Sequence, residues 1–358
     1  MGKKYLPQNP FLSNELREMK PQGLIVFDMD GVIVDVSGSY RETVRQTAGL
    51  FFREAGSWQD LPDPLFPLTD LAIVKQSGGL NNDWDLTFLV INLLFTLVEG
   101  LPEHNDPNPW SRHTKTIRRC DVAALARFLN STKRPLTTLL ERNGKRKHEF
   151  ITGLYTGDVG SGNIIKQIFQ EIYLGKDLFE STYGIPAKVY YEEGYINRER
   201  LLVGTPILES LSKRNILAIA TGRPKAEADY PLDFFGLRKF FSSVITLDDC
   251  LEEEHRIFEQ KNINVSLSKP DPYMLDVVAE TFKSQVSEFY YIGDMPDDMV
   301  AAARSIAEFV GIGILISSSE KDALRQDLLR AGADYIIEDF EELKSIVGSP
   351  KSLIYNLE

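Results

Sequence analysis

Short apolar runs bounded by turn residues recur along this chain, and the first of them, LIVFD, begins soon after Pro21. Its unbroken, β-branched character predicts a strand buried on both faces rather than one alternating between core and solvent. Four runs of the same kind come late: ILAIAT ending at Thr221, SSVITL ending at Leu247, FYYIGD ending at Asp294 and FVGIGIL ending at Leu315. DYIIED, near the end, is a further candidate strand. Helical patterns such as PILESLSKRN and PDDMVAAARSIAEF separate these runs. Strand and helix alternating at this spacing predict an α/β fold, a Rossmann-like parallel sheet covered by helices on both faces. In such folds ligands bind at the carboxyl ends of the strands.

Between Val36 and Arg200 the pattern changes to long helical segments and polar loops, among them CDVAALARFLN and GNIIKQIFQEIYLGKDLFESTYG. This predicts a mostly helical domain, residues 36–200, inserted directly after the first strand. Residues 22–35 and 201–358 then make the sheet domain, and residues 1–21 an extension. The most apolar segment, TFLVINLLFTLV from Thr87 to Val98, is too short to cross a bilayer core of about 30 Å. It reads as a buried helix or as an apolar face for a homodimer.

Bulk properties narrow the partners. A chain of 358 residues suggests about two domains. Its formal charge of -12 argues against bulk attraction to nucleic acid or anionic lipid, so any anion must be met locally. Cys120 and Cys250 have neither paired nor CxxC spacing, so neither a disulfide framework nor a zinc site is suggested and a reducing, cytoplasmic setting fits best. The first residues, MGKKYLPQNPF, lack an apolar stretch, and Leu6 stands where a myristoylation signal wants Ser or Thr.

The stretch VFDMDGVIVD raises a chemical question, because the first strand ends by placing Asp28 and Asp30 side by side at its rim. Alone, Asp-x-Asp-Gly is equally well a turn or a helix cap. Three other segments add to it. Thr221 closes a strand and is followed by Gly222, Lys269 sits in SLSKPDPYML, and Asp294 closes a strand ahead of Asp297 and Asp298. Carboxylates in this number are hard oxygen ligands of the kind Mg²⁺ prefers, together with water and a phosphate oxygen. The four histidines, His104, His113, His148 and His255, show no ligand spacing. Asp297 and Asp298 also suit the start of a helix.

DMDGV, the TG of ATGRP, the K of SKPDP and GDMPDD, in that order, resemble the four motifs of the haloacid dehalogenase superfamily, with the insertion at the position of its C1 cap but about twice the usual length. The resemblance covers roughly residues 22–35 and 200–340. It implies Asp28 as a nucleophile forming an aspartyl-phosphate and Asp30 as the acid and base for leaving group and water. It implies Mg²⁺ held by Asp28, the Asp30 carbonyl and Asp294. Thr221 and Lys269 would contact the phosphoryl group, with Gly222 admitting it closely. Asp298 would orient Lys269 or a metal-bound water, and Asp297 is a substitute for it.

Three stretches of the insertion are candidates for reading the rest of a substrate. Lys75, Asn81, Asn82, Asp83 and Trp84 gather ahead of the apolar helix, where a glycine turn, an Asn or Asp cap and a packed Trp84 explain them equally well. YTGDVGSGNIIK, ending at Lys166, is a glycine-rich loop opening a helix. The third is the basic region from Ser111 to His148, which also reads as solvated helix faces. The expected function is a Mg²⁺-dependent phosphatase acting on a small phosphorylated metabolite. Alternatives are a phosphomutase, a phosphonatase using a lysine such as Lys75, and a non-catalytic binding protein.

Overall fold

The computed structural model describes residues 23–77, 82–100, 106–318 and 320–347. The expectations for the N-terminal extension and for Asn81 fall outside these residues. Six strands form one sheet: β1 (Gly23–Phe27), β4 (Asn215–Ala220), β5 (Ser243–Ile245), β6 (Phe289–Gly293), β7 (Val310–Ile314) and β8 (Tyr335–Ile337). Their order is β5-β4-β1-β6-β7-β8, and every pair is parallel. Every residue of β1 is buried, as its unbroken apolar run requires when both faces of a sheet are covered. Two further strands, β2 (Val34–Asp35) and β3 (Arg200–Leu201), pair antiparallel where the chain leaves the sheet and where it returns.

Among the described residues, eight α-helices lie between β2 and β3: α1 (Tyr40–Phe51), α2 (Leu68–Gln76), α3 (Asp83–Phe95), α4 (Pro109–Ile117), α5 (Ala123–Ser131), α6 (Pro135–Asn143), α7 (Glu149–Gly153) and α8 (Ile164–Tyr183). Seven more flank the sheet: α9 (Thr205–Ser212), α10 (Lys225–Phe234), α11 (Leu247–Lys261), α12 (Tyr273–Phe282), α13 (Pro296–Arg304), α14 (Lys321–Arg330) and α15 (Phe340–Ile346). One apolar cluster runs from Ile25 and Phe27 on one sheet face through Val32–Val36 into α1, α3 and α8. A second cluster, with Leu24, Val26 and Tyr291, fills the other face.

The apolar stretch expected to be a buried or subunit-interface helix is α3, and it starts earlier than the apolar run because Asn82 caps it, accepting from Asp85 N at 2.8 Å. Its residues from Leu86 to Phe95 are all buried by their own chain. A homodimer face at Thr87–Val98 is therefore corrected: the helix has spent its apolar surface on α1, α6 and α8. The long helix α8 breaks at Gly175, whose φ of +73° lets the backbone pass Gly194, where a Cβ would lie 2.2 Å from Gly194 N.

Candidate active site

Strand geometry places the polar residues. In a parallel sheet the carboxyl ends share one rim, so Asp28 after β1, Thr221 after β4 and Asp294 after β6 become neighbours. Lys269 reaches the same place from the loop before α12, and Asp297 and Asp298 from the first turn of α13. All line one cavity of about 130 Å³, together with Asp30 and Gly222. On its other side stand Tyr40 and Arg41 from α1, Lys75 from α2, Asn82 before α3, and Asp83 and Trp84 from α3. The cavity thus gathers every described residue of the predicted set.

Two glycines make the packing possible. Gly31 has φ +73°, and a Cβ there would lie 2.0 Å from Asp294 Oδ2. At Gly293 a Cβ would meet Asp298 Cβ at 2.3 Å, so this glycine makes room for a carboxylate side chain.

Ion pairs organise the rim. Lys269 Nζ lies 2.7 Å from Asp28 Oδ1 and 2.8 Å from Asp298 Oδ1. Burial alone would pull the lysine down, but Asp28 and Asp298 outweigh it and hold the ammonium well above its usual range. Burial pushes the Asp28 carboxyl upward, against the pull of Lys269, and the neighbouring Asp298, Asp30 and Asp294 add to the push. Asp298 is fully engaged: Oδ1 also accepts from Tyr291 at 2.8 Å, and Oδ2 accepts from Met295 N at 3.0 Å, closing the start of α13. It both caps a helix and grips Lys269.

Asp294 is less occupied. Its Oδ2 accepts from Ser317 Oγ at 3.1 Å, and its other oxygen has no partner among the described residues. Burial and Asp298 push its carboxyl up to about 6, opposed by Lys75, Arg41 and Ser317. Oxygens of Asp28, Asp294 and Asp298 lie within 4.8 Å of one another. A buried group of hard oxygen donors whose charges are this costly fits a divalent cation such as Mg²⁺. Since Asp298 has its oxygens committed, Asp28 and Asp294 are the better ligands.

Asp30 introduces residues that sequence reasoning missed. Its Oδ1 accepts from Arg223 Nε at 2.6 Å. Arg223 is fully buried, and its other nitrogens reach Glu199 at 2.9 and 3.1 Å and Tyr173 Oη at 3.2 Å. Glu199 precedes β3 and also accepts from Ser39 Oγ at 3.1 Å and Tyr173 Oη at 2.9 Å. Arg223 follows Thr221 and Gly222 directly, so the available signal was the arginine in ATGRP. Thr221 is buried; its Oγ1 accepts from Arg223 N at 3.2 Å, leaving the hydroxyl hydrogen free to donate. Nearby, Tyr40 donates to Glu227, which also accepts from Gln170 at 2.8 Å; burial pushes the Glu227 carboxyl up to about 7.

The helical side has its own bracing. Lys75 Nζ lies 3.1 and 3.2 Å from the two oxygens of Asp83, which ties the end of α2 to the start of α3. Trp84 carries Lys166 over its ring at 3.9 Å, and Lys166 also pairs with Asp158 at 2.7 Å. The glycine-rich loop from Tyr155 and the basic region from Ser111 to His148 contribute nothing to the lining of the cavity. Several of those basic groups have local partners, Arg118 with Glu54 at 2.9 Å and Arg112 with Gly153 O at 2.6 Å.

A family model described as haloacid dehalogenase-like hydrolase matches residues 23–305. The chain belongs to this family. The match spans both the sheet and the inserted helices, and the haloacid dehalogenase-like assignment agrees with the four motifs. Among curated proteins, the chain is 26% identical over 142 residues to the pyrophosphatase PpaX of Oceanobacillus iheyensis, covering 39% of this chain and 56% of that one. It is 24% identical over 160 residues to a phosphoglycolate phosphatase of Photobacterium profundum, covering 44% of this chain and 61% of the other. The chain therefore spans less than two thirds of the length of these curated relatives. An X-ray structure from a structural genomics consortium matches with TM-score 0.61 and 20% identity, over 94% of this chain and 99% of the other, a likeness of fold. Among the described residues, no helix is long and apolar enough to cross a membrane.

Proposed function

We propose that this hydrolase is a metal-dependent phosphatase for a small phosphorylated metabolite, working through Asp28 as nucleophile. The observation that carries the reading is the meeting of Asp28, Lys269 and Asp298, with Thr221, Asp30 and Asp294, at the rim of one cavity. Asp28 attacks phosphorus and takes the phosphoryl group as an acyl phosphate. Lys269 stays protonated and neutralises charge on the nucleophile and on the group in transfer. Asp298 keeps Lys269 in place, and the Thr221 hydroxyl donates to a phosphoryl oxygen. Asp30, oriented by Arg223, protonates the leaving oxygen and then takes a proton from the water that releases phosphate. Mg²⁺, held by Asp28, Asp294 and the Asp30 carbonyl, would offset the repulsion between carboxylate and phosphate when bound. Residues 36–200 serve as a cap that excludes water and reads the substrate's remaining part. A cytoplasmic setting follows from the unpaired cysteines.

A phosphonatase chemistry based on Lys75 is disfavoured. A lysine that forms a Schiff base must lose its proton. Burial pulls Lys75 down, but Asp83, Asp30 and Asp294 outweigh it and raise it above its usual range. The test is inorganic phosphate release from a panel of phosphorylated metabolites, with Mg²⁺ and with EDTA, for the native chain and Asp28→Asn. Metal-dependent release that disappears in the variant is expected. Release that persists in Asp28→Asn would remove the proposed nucleophile, and a compound isomerised without release would point to a mutase.

A further inference from the structure

Among the described residues, the cations around the cavity have hydrogen-bonded or ion-paired carboxylates with one exception, whose charge is felt by Asp294 without a direct contact. Lys269 is held between Asp28 and Asp298, Arg223 between Asp30 and Glu199, and Lys75 on Asp83. Arg41 remains. It stands in the first turn of α1, lines the cavity, and makes no side-chain hydrogen bond or ion pair among the described residues. Its Nε is buried with no partner among the described residues, including Glu320, which lines an adjoining cavity with it. A buried cationic donor without an acceptor is costly, so its presence calls for a group that arrives with the ligand.

A second orphan lies in the same wall. Trp84 is only 9% exposed, lines the cavity, and its Nε1 is buried without an acceptor among the described residues. An indole N–H can only donate, and buried ones ordinarily find a partner. Arg41 and Trp84, each with a buried donor lacking an acceptor among the described residues, thus line the same cavity as the strand ends. The Lys75–Asp83 brace ties α2 to α3 on that side of the cavity.

We propose that Arg41 and the Trp84 indole N–H form a subsite for a second anionic group on the substrate, a carboxylate or a phosphate joined to the transferred phosphoryl by a short chain. This rests on the phosphatase reading and narrows it to small substrates bearing two anions. The cavity volume of about 130 Å³ agrees, since one water needs roughly 10–15 Å³ by the same measure. There is space for about ten water-sized groups, enough for a phosphoryl group and a few further atoms. The planar guanidinium can meet either anion with parallel N–H donors, and the indole fixes its orientation.

The test measures binding by calorimetry, with Mg²⁺, in an Asp28→Asn background that holds ligand without turning it over. Three probes are compared: glycerol 3-phosphate, 3-phosphoglycerate, in which a carboxylate replaces the terminal alcohol, and propane-1,3-diol bisphosphate. The proposal expects at least one dianionic compound to bind tenfold or more tightly than glycerol 3-phosphate, and the tighter of the two identifies carboxylate or phosphate as the second group. Adding Arg41→Met should cut that preference to threefold or less, and Trp84→Phe, which keeps the ring and loses the N–H, should reduce it partly. Equal binding of all three probes to the parent overturns the subsite while leaving the phosphatase reading in place. So does an Arg41→Met change that weakens every probe by the same factor, because Arg41 would then serve the common phosphoryl group. Binding of none of the probes overturns the subsite for short two-anion substrates, while the phosphatase reading stands or falls on phosphate release from the metabolite panel.

Discussion

At the strand ends Lys269 spans Asp28 and Asp298 and Arg223 spans Asp30 and Glu199, whereas the helical wall opposite keeps Arg41 Nε and the Trp84 N–H without acceptors among the described residues. The first region holds its reactive groups in place before any ligand arrives. Its leftover carboxylate, Asp294, has the character of a cation ligand. In the second region the unmet groups are donors, complementary to an anion. On the proposed function the difference separates two tasks: chemistry that is the same for every substrate is preorganised by internal pairs, and selection is left to groups that only the right substrate completes.

The largest effect should come from breaking the paired wall at its centre. Lys269→Met removes the cation shared by Asp28 and Asp298, and phosphate release should fall by about 10²- to 10³-fold, as for loss of one charge-stabilising donor. A fall below tenfold in steady-state assays would mean that the pairing is structural only. Next, Glu199→Gln takes one carboxylate from a buried arginine that needs it. Removing one partner of a buried ion pair costs about 3 kcal/mol or more, so chemical denaturation should show a loss of that order.

A smaller effect tests the seam between the two regions, where Tyr40 and Gln170 from the helices hold Glu227 of α10. Burial raises the Glu227 carboxyl to about 7 from an ordinary value near 4.5. The folded chain therefore binds the proton more tightly than the unfolded chain. Stability from this group is complete below the unfolded value and is lost as pH rises through about 7. Relative to Glu227→Gln, the native chain should lose on the order of 2–3 kcal/mol between pH 4.5 and pH 8. Melting curves that keep the same gap between the two proteins across that range would show that Glu227 is already charged. Asp297→Asn should change least. Asp297 lines the cavity but makes no hydrogen bond or ion pair among the described residues, so a change in phosphate release of less than about threefold is expected, and a larger one would give it a role beside Asp298.

The strands were legible because each buried parallel strand carries its own local signal; LIVFD and FYYIGD need no distant partner to be recognised. Asp28, Thr221 and Asp294 followed, since a parallel sheet brings its carboxyl ends together. Lys269 was singled out in its loop, but its role came only through the family resemblance, because a lysine in a polar loop has no periodicity to mark it. Arg223 was in plain view beside Gly222, yet its importance depends on Glu199 and Asp30, which are remote in the chain. Arg41 was invisible for a related reason: a single basic residue at the start of an amphipathic helix reads as solvated, and only the fold shows that its Nε is buried without a partner among the described residues. The apolar run in α3 gave its burial correctly and its surroundings not at all, since composition does not say whether a helix is covered by its own chain or by another.

The most direct measurement is to trap the phosphoryl group on the protein. Asp30→Asn should slow release of the acyl phosphate more than its formation, so a reaction with a compound that the native enzyme hydrolyses is quenched in acid and the phosphorylated peptide is mapped by mass spectrometry. The account predicts a phosphoryl adduct on the peptide containing Asp28, absent when Asp28→Asn is added. Phosphate release with no adduct at any time point, or an adduct confined to another residue, would contradict it.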